Sequence, residues 1–129
     1  MILDSDFLIA LLRGDKDAVE KAESMEPRDR PATTSVNTYE LFKGAMLSEM
    51  KEKNMLEVEN LLSSLRILPF DYSASQQCAK ILVELKKSSV VIDMADQMIA
   101  AIAVTQDEAI VTRNSRHFSK MPGIKLAEW

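Results

Sequence analysis

The chain has 129 residues, 47% hydrophobic and 28% charged, with a single Cys and a single His. That length suits one domain, residues 1–129, which buries roughly two thirds of its unfolded surface without staples; the lone Cys78 excludes an internal disulfide, and one Cys with one His excludes the usual Cys/His zinc sites. A net charge of −4 argues against a nucleic-acid coat protein but not against a nucleic-acid enzyme, because acids that hold cations make a bare chain look more acidic than the loaded site.

In chain order, Met1–Asp4 reads as a buried strand that delivers a carboxylate at its C-terminal end. Phe7, Leu8, Leu11 and Leu12 recur at helical spacing until Gly14. Asp15 caps a second helix, which ends before Pro27, and Pro31–Thr34 reads as a short strand. Ser35 or Asn37 is placed to cap the helix carrying Tyr39, Leu41, Phe42, Ala45 and Met46. Glu49–Glu59 alternates in charge along a solvated helix face, with Met55, Leu56, Leu61, Leu62 and Leu65 turned inward. Arg66–Phe70 is a strand, Ser73–Lys87 a helix with Cys78, Ile81, Leu82 and Leu85 on one stripe, and Asp93–Gln106 a helix rich in Ala, Ile and Met. Ala109–Thr112 and Ile124–Leu126 complete the strands. Met94, Met98 and Met121 read as core or interface fillers. Strands alternating with helices predict an α/β fold with a mainly parallel sheet, whose strand C-termini share one edge. No apolar run approaches the roughly 20 residues that span a bilayer. Asp4 and Asp6 stand where a signal peptide is basic, so the expectation is a cytoplasmic protein without membrane contact.

Three acids sit in apolar company: Asp4 after Ile2-Leu3, Glu40 inside Tyr39–Phe42, and Asp96 inside Met94–Ile102. Burying a carboxylate is expensive unless it is paired, hydrogen-bonded or metal-bound. Each has a plain structural role available, Asp4 as a helix cap, Glu40 in a rim ion pair and Asp96 against a helix dipole. Together, near one sheet edge and without Cys or His neighbours, they form an oxygen-only donor set suited to Mg²⁺ or Mn²⁺. The chemistry natural to such a site is phosphodiester hydrolysis by a metal-activated water, which needs no side-chain nucleophile.

These blocks, in this order, resemble the PIN-domain family, and within it the VapC-type toxin ribonucleases. Ile2–Ile9 resembles its first strand and acidic turn, Ser35–Leu41 its S-x-x-x-x-E-L helix, and Ala95–Ala101 its D-x-x-I-A-A helix. Ile110–Phe118 resembles its T-x-D/N-x-x-x-F segment and Pro122–Leu126 its final strand. The resemblance implies a PIN-like α/β/α sandwich and a Mg²⁺- or Mn²⁺-dependent endoribonuclease. It further implies an RNA substrate, a small VapB-like antitoxin whose tail enters the active-site groove, and a homodimer. Asp4, Glu40 and Asp96 match the metal-binding acids, while Asn114 stands where many relatives carry a fourth acid. As a neutral oxygen donor, Asn114 would hold a second metal weakly or orient a metal-bound water. Asp6 and Asp93 are extra acids beside this set, read as ligands, supporting groups or caps, and Thr112 as a supporting hydroxyl or a strand end.

Arg113, Arg116, Lys120 and Lys125 form a strip without an acid over residues 113–125, either an RNA-backbone contact or a solvated loop. His117, without a companion base, reads as incidental. Two other functions compete: a catalytically inactive PIN-like module that only binds RNA or protein, favoured by Asn114, and a phosphatase of the haloacid dehalogenase type, favoured by Asp4-Ser5-Asp6. The phosphatase needs a pocket Lys, and Lys86-Lys87 falls on an ordinary helix.

Overall fold

Strand side chains alternate between two helical layers, as the twofold period of a strand requires. The computed structural model describes residues 1–129. Its strands are β1 (Ile2–Leu3), β2 (Ala32–Thr34), β3 (Arg66–Leu68), β4 (Ile110–Val111) and β5 (Leu126–Ala127). They form one parallel sheet in the order β3-β2-β1-β4-β5, with Ile2 opposite Ala32 and Ile110, and Leu3 opposite Val111. Ile2, Ala32 and Ile110 face a layer built from α5 (Tyr72–Lys87), α6 (Met94–Gln106) and α7 (Ser115–Phe118). Leu3 and Val111 face the opposite layer of α1 (Ser5–Leu12), α2 (Lys16–Ser24), α3 (Ser35–Leu47) and α4 (Lys51–Leu62). The expected α/β/α sandwich is therefore present, and its sheet is wholly parallel.

The chain steps outward from β1 to β2 and β3, then crosses back to place β4 on the other side of β1. The C-terminal ends of β1 and β4 thus flank the switch point of the sheet, where open parallel sheets leave a crevice. No helix is long and apolar enough to cross a membrane.

Local chemistry sets the helix limits. Gly14, at φ +71°, ends α1 in a left-handed conformation that costs glycine little. Asp15 caps α2 by accepting from Ala18 N at 3.1 Å, and Asp71 caps α5 from Ala74 N at 2.9 Å. The cap of α3 is Thr34, not Ser35 or Asn37: the helix starts immediately after β2, so the last strand residue takes the cap position. Asn37 instead returns its side chain to Thr34, closing a reciprocal capping box.

Other differences from the sequence expectations lie at element edges. Leu56 is 60% exposed, because α4 packs through Val58 and Leu62 and turns Leu56 to solvent. Leu82 is only half-buried at the margin of the α5 stripe. Met98 packs on the α5–α6 core and Met121 is buried, whereas Met94 is exposed at the start of α6. Helix α7 was not expected; a single turn carries too few residues to show a helical period.

Ile110→Ala, at a fully buried position on β4, is expected to cost about 2–5 kcal/mol. Leu56→Ala is expected to stay within about 0.5 kcal/mol. Urea denaturation of the two variants checks both values, and a large loss at Leu56 would contradict the packing of α4.

Candidate active site

Asp4 is the first residue beyond β1 and the cap of α1, so strand and helix together place its carboxylate at the switch point. It is only 6% exposed. Its Oδ1 accepts from Ser5 N at 2.9 Å and Asn37 Nδ2 at 2.9 Å, and its Oδ2 accepts from the Thr112 hydroxyl at 2.7 Å. Burial, with the charge of nearby Asp6 adding to it, outweighs these bonds and pushes the carboxyl from 3.8 up to about 6.

Asn37 is wholly buried and joins two acids in one frame. Its Nδ2 also donates to Ser5 Oγ at 2.9 Å, and that hydroxyl donates to Glu40 Oε1 at 3.0 Å. Its Oδ1 accepts from Thr34 Oγ1 at 2.6 Å, so the amide is anchored to the β2–α3 junction. Glu40, half-buried one helical turn further along α3, has its carboxyl raised by burial first and then by the charge of Asp96. Thr112, at the end of β4, completes the other flank: it donates to Asp4 and accepts from Asn114 N at 2.9 Å.

Asp96 projects from the first turn of α6. Its Oδ2 lies 3.3 Å from Asn114 Nδ2 and 3.3 Å from His117 Nδ1, and those two nitrogens are 3.2 Å apart. The expectation of acids without a His neighbour is therefore wrong at one corner. Parallel pairing of β4 beside β1 and the turn of α7 bring residue 117 back over α6.

Asp4, Asp6, Glu40, Asp96, Thr112 and Asn114 thus share one edge. Asp6 Oδ2 accepts from Arg113 N at 2.8 Å and its Oδ1 from Phe7 N at 2.6 Å, so this acid braces the loop after β4. Asp93 stands exposed before α6 with no side-chain hydrogen bond and is not joined to the network. Of the basic strip, Arg113 lies on the surface but is tied down by the protein's own groups, with Nη2 3.1 Å from Asp17 and the guanidinium 3.6 Å over the Trp129 ring. Lys125 pairs with Asp107, while Arg116 and Lys120 are exposed without an ion pair. Sequence reasoning missed Ser5, Thr34, Asn37 and His117. Ser5 and Asn37 lie inside the two acidic motifs, but only the folded pairing of α1 with α3 reveals that they touch.

No Lys or Arg forms an ion pair with Asp4, Asp6, Glu40 or Asp96. No three carboxylates or imidazoles stand close enough to make a ready cage. Oxygen donors gathered at one edge, with the carboxyls of Asp4 and Glu40 raised chiefly by burial, none in an ion pair with Lys or Arg and only Lys43 bearing on Glu40 from beyond ion-pair distance, are chemically suited to a hard divalent cation. The residues present fit such an ion.

The PIN domain family model matches residues 1–124. Over 128 residues the chain is 29% identical to the tRNA(fMet)-specific endonuclease VapC of Salmonella typhimurium, covering 99% of this chain and 96% of that protein. It is 31% identical to Ribonuclease VapC10 of Mycobacterium tuberculosis over 125 residues, 97% of this chain and 90% of the relative. The structure matches a DNA-bound VapBC of Salmonella typhimurium at TM-score 0.91 and 29% identity, over 99% of this chain and 96% of that one. It matches the fold of VapBC2 from Rickettsia felis, bound to a promoter DNA fragment, at TM-score 0.93 and 23% identity, over 99% and 97% of the two chains.

Between pH 3.8 and about 6 the folded protein holds a proton on Asp4 that the unfolded chain has released. The wild type therefore loses stability relative to Asp4→Asn as pH rises through that window, by about 3 kcal/mol in full. Denaturant titrations without divalent cations at about pH 4 and about pH 8 measure the change; a difference independent of pH would contradict the buried, unpaired carboxylate.

Proposed function

The chain belongs to the PIN domain family, and from that premise we propose that it is a divalent-metal-dependent endoribonuclease, the toxin of a VapBC-type pair. The observation that carries this reading is the Asp4 carboxylate, buried at the switch point without a cationic partner. Relatives named as VapC ribonucleases across nearly the whole chain support the same reading. Residues 1–129 act as one domain, since both helical layers pack on one sheet.

Asp4, Glu40 and Asp96 are the residues that would hold Mg²⁺ or Mn²⁺. When bound, such an ion neutralises charge on a phosphodiester and acidifies the attacking water. Around it the chain's own groups do the positioning. Asn37, Thr112 and Ser5 N hold Asp4 in one orientation, and Ser5 Oγ ties Glu40 to the same frame. Asn114 donates to Asp96 without adding a negative charge to the crowded edge, so a second cation would be held more weakly there. Thr112 and Asp6 orient the strand end and loop; Asp93 lies outside this machinery.

Exposed Arg116 and Lys120 are placed to meet RNA phosphates, whereas Arg113 serves chiefly to hold its loop against Trp129. A groove opening from Glu40 between α1, α3 and α4, lined by Ile9, Arg13, Leu41, Gly44 and Val58, suits the tail of a VapB-like antitoxin. Exposed Tyr39, Met46 and Leu47 on α3 give a homodimer an apolar surface.

Asp4→Asn and Asp96→Asn are each expected to lower Mn²⁺-dependent RNA cleavage by about 10²–10³ or more, with an unchanged circular dichroism spectrum. Wild-type activity in both would remove the assignment, and metal-independent RNA binding without cleavage by the native chain would favour an inactive module. Arg116→Ala is expected to weaken RNA binding across sequences and lower its salt slope by about 1. An unchanged slope would return Arg116 to a solvated loop.

A further inference from the structure

The loop that follows β4 touches three acids with three successive residues. The Thr112 hydroxyl donates to Asp4 Oδ2 at 2.7 Å, Arg113 N donates to Asp6 Oδ2 at 2.8 Å, and Asn114 Nδ2 lies 3.3 Å from Asp96 Oδ2. Thr112 and Asn114 reach the acids with their side chains, whereas Arg113 does so through its backbone. Its side chain lies instead on Trp129, two residues beyond the end of β5.

Trp129 joins that loop to α1. The Arg113 guanidinium lies 3.6 Å from its ring centroid, and Phe7, fully buried in the first turn of α1, meets the ring edge-on with centroids 5.2 Å apart and planes at 73°. Arg113 Nε also donates to the Trp129 backbone oxygen at 3.3 Å, and its Nη2 to Asp17 at 3.1 Å. Among aromatic side chains, Trp offers a guanidinium the best face. The indole Nε1 is buried without a hydrogen-bond partner, so the contribution of Trp129 here is its flat face and area rather than its donor.

We propose that Trp129 is a positioning residue: by gripping Arg113 from behind, it fixes the backbone of residues 112–114, and through Thr112 and Asn114 it holds Asp4 and Asp96 in the geometry that cleavage needs. The role deepens the nuclease reading above and rests on it. A displacement of about 1 Å near the reacting groups can cost about 10²-fold in rate. Arg116 and Lys120, the residues placed to meet RNA phosphates, form no part of the clamp. Trp129 therefore acts on turnover rather than on RNA binding.

The test uses the full chain as wild type, Trp129→Leu, Trp129→Phe, Arg113→Met and the double variant carrying Trp129→Leu and Arg113→Met. Leucine fills space without an aromatic face, whereas phenylalanine keeps the face and discards an unpartnered N–H. Amide hydrogen exchange followed by NMR on the metal-free protein reads the loop, and turnover of a random-sequence RNA pool with Mn²⁺ reads cleavage. In Trp129→Leu, exchange at Arg113 and Asn114 is expected to be about ten-fold faster or more. Its kcat is expected to fall about ten-fold or more, with KM little changed. Trp129→Phe is expected to restore most of both, and Arg113→Met to match Trp129→Leu. The double variant is expected to be no worse than either single one, because the two residues act as a unit. Wild-type exchange or wild-type kcat in Trp129→Leu overturns the role, as does an equal loss in Trp129→Leu and Trp129→Phe, which would mark ordinary packing. Absence of cleavage by the wild type overturns the nuclease reading and any effect on turnover, while exchange still decides whether Trp129 holds the loop.

Discussion

One carboxylate, sunk at the end of the central strand, organises this molecule's working edge. A buried charge is tolerated only when its surroundings supply hydrogen bonds or a counter-charge. Asp4 receives the bonds, from a backbone N–H, an amide and a hydroxyl, but no cationic side chain. Its partners in turn reach outward: Asn37 through Ser5 to Glu40, and Thr112 through Asn114 to Asp96. Five elements, β1, α1, α3, β4 and α6, are thereby tied to one another through polar groups at a single place. The packing of two apolar layers holds the sheet, but this network sets how its upper edge is arranged.

The topology explains why the network can exist. A sheet ordered outward from β1 in both directions puts its switch point between the ends of β1 and β4, where open parallel sheets leave a gap. The gap admits solvent to one side of a carboxylate that is otherwise enclosed. Glu40 and Asp96 arrive from opposite layers, on α3 and α6, and meet across that gap closely enough for the charge of Asp96 to bear on Glu40. Such self-repelling acids are costly to the bare chain, a trade between stability and activity that folded enzymes often show. Membership of the PIN domain family and near-complete alignment with VapC ribonucleases give this cost a chemical purpose.

Residue 114 changes the character of the edge. An acid there would add a further charge beside Asp96, whereas Asn114 donates to Asp96 and stands within reach of His117. Asp96 thus meets a neutral amide where a second acid would repel it. Arg113, one residue earlier, is drawn the other way, onto the Trp129 ring and Asp17. Successive side chains of the β4–α7 loop thus divide between supporting the fold and shaping the cleft.

Much of this was legible in the sequence. Short apolar runs, helical stripes and caps such as Asp15 determined the alternation of strands and helices, because local periodicity and capping act over a few residues. Carboxylates stranded in apolar surroundings marked Asp4, Glu40 and Asp96, since desolvation is costly wherever it occurs. Contacts over long sequence separations were not legible: that Asn37 holds Asp4, that Asp6 braces the loop after β4, and that His117 lies on Asp96. Those depend on which strands pair and how α7 turns, and the individual residues carry no local trace of them. Composition and pattern determined what kinds of groups this protein brings to its edge; tertiary structure alone decided which atoms meet, because hydrogen bonds and ion coordination are settled over a few ångströms that no spacing along the chain specifies.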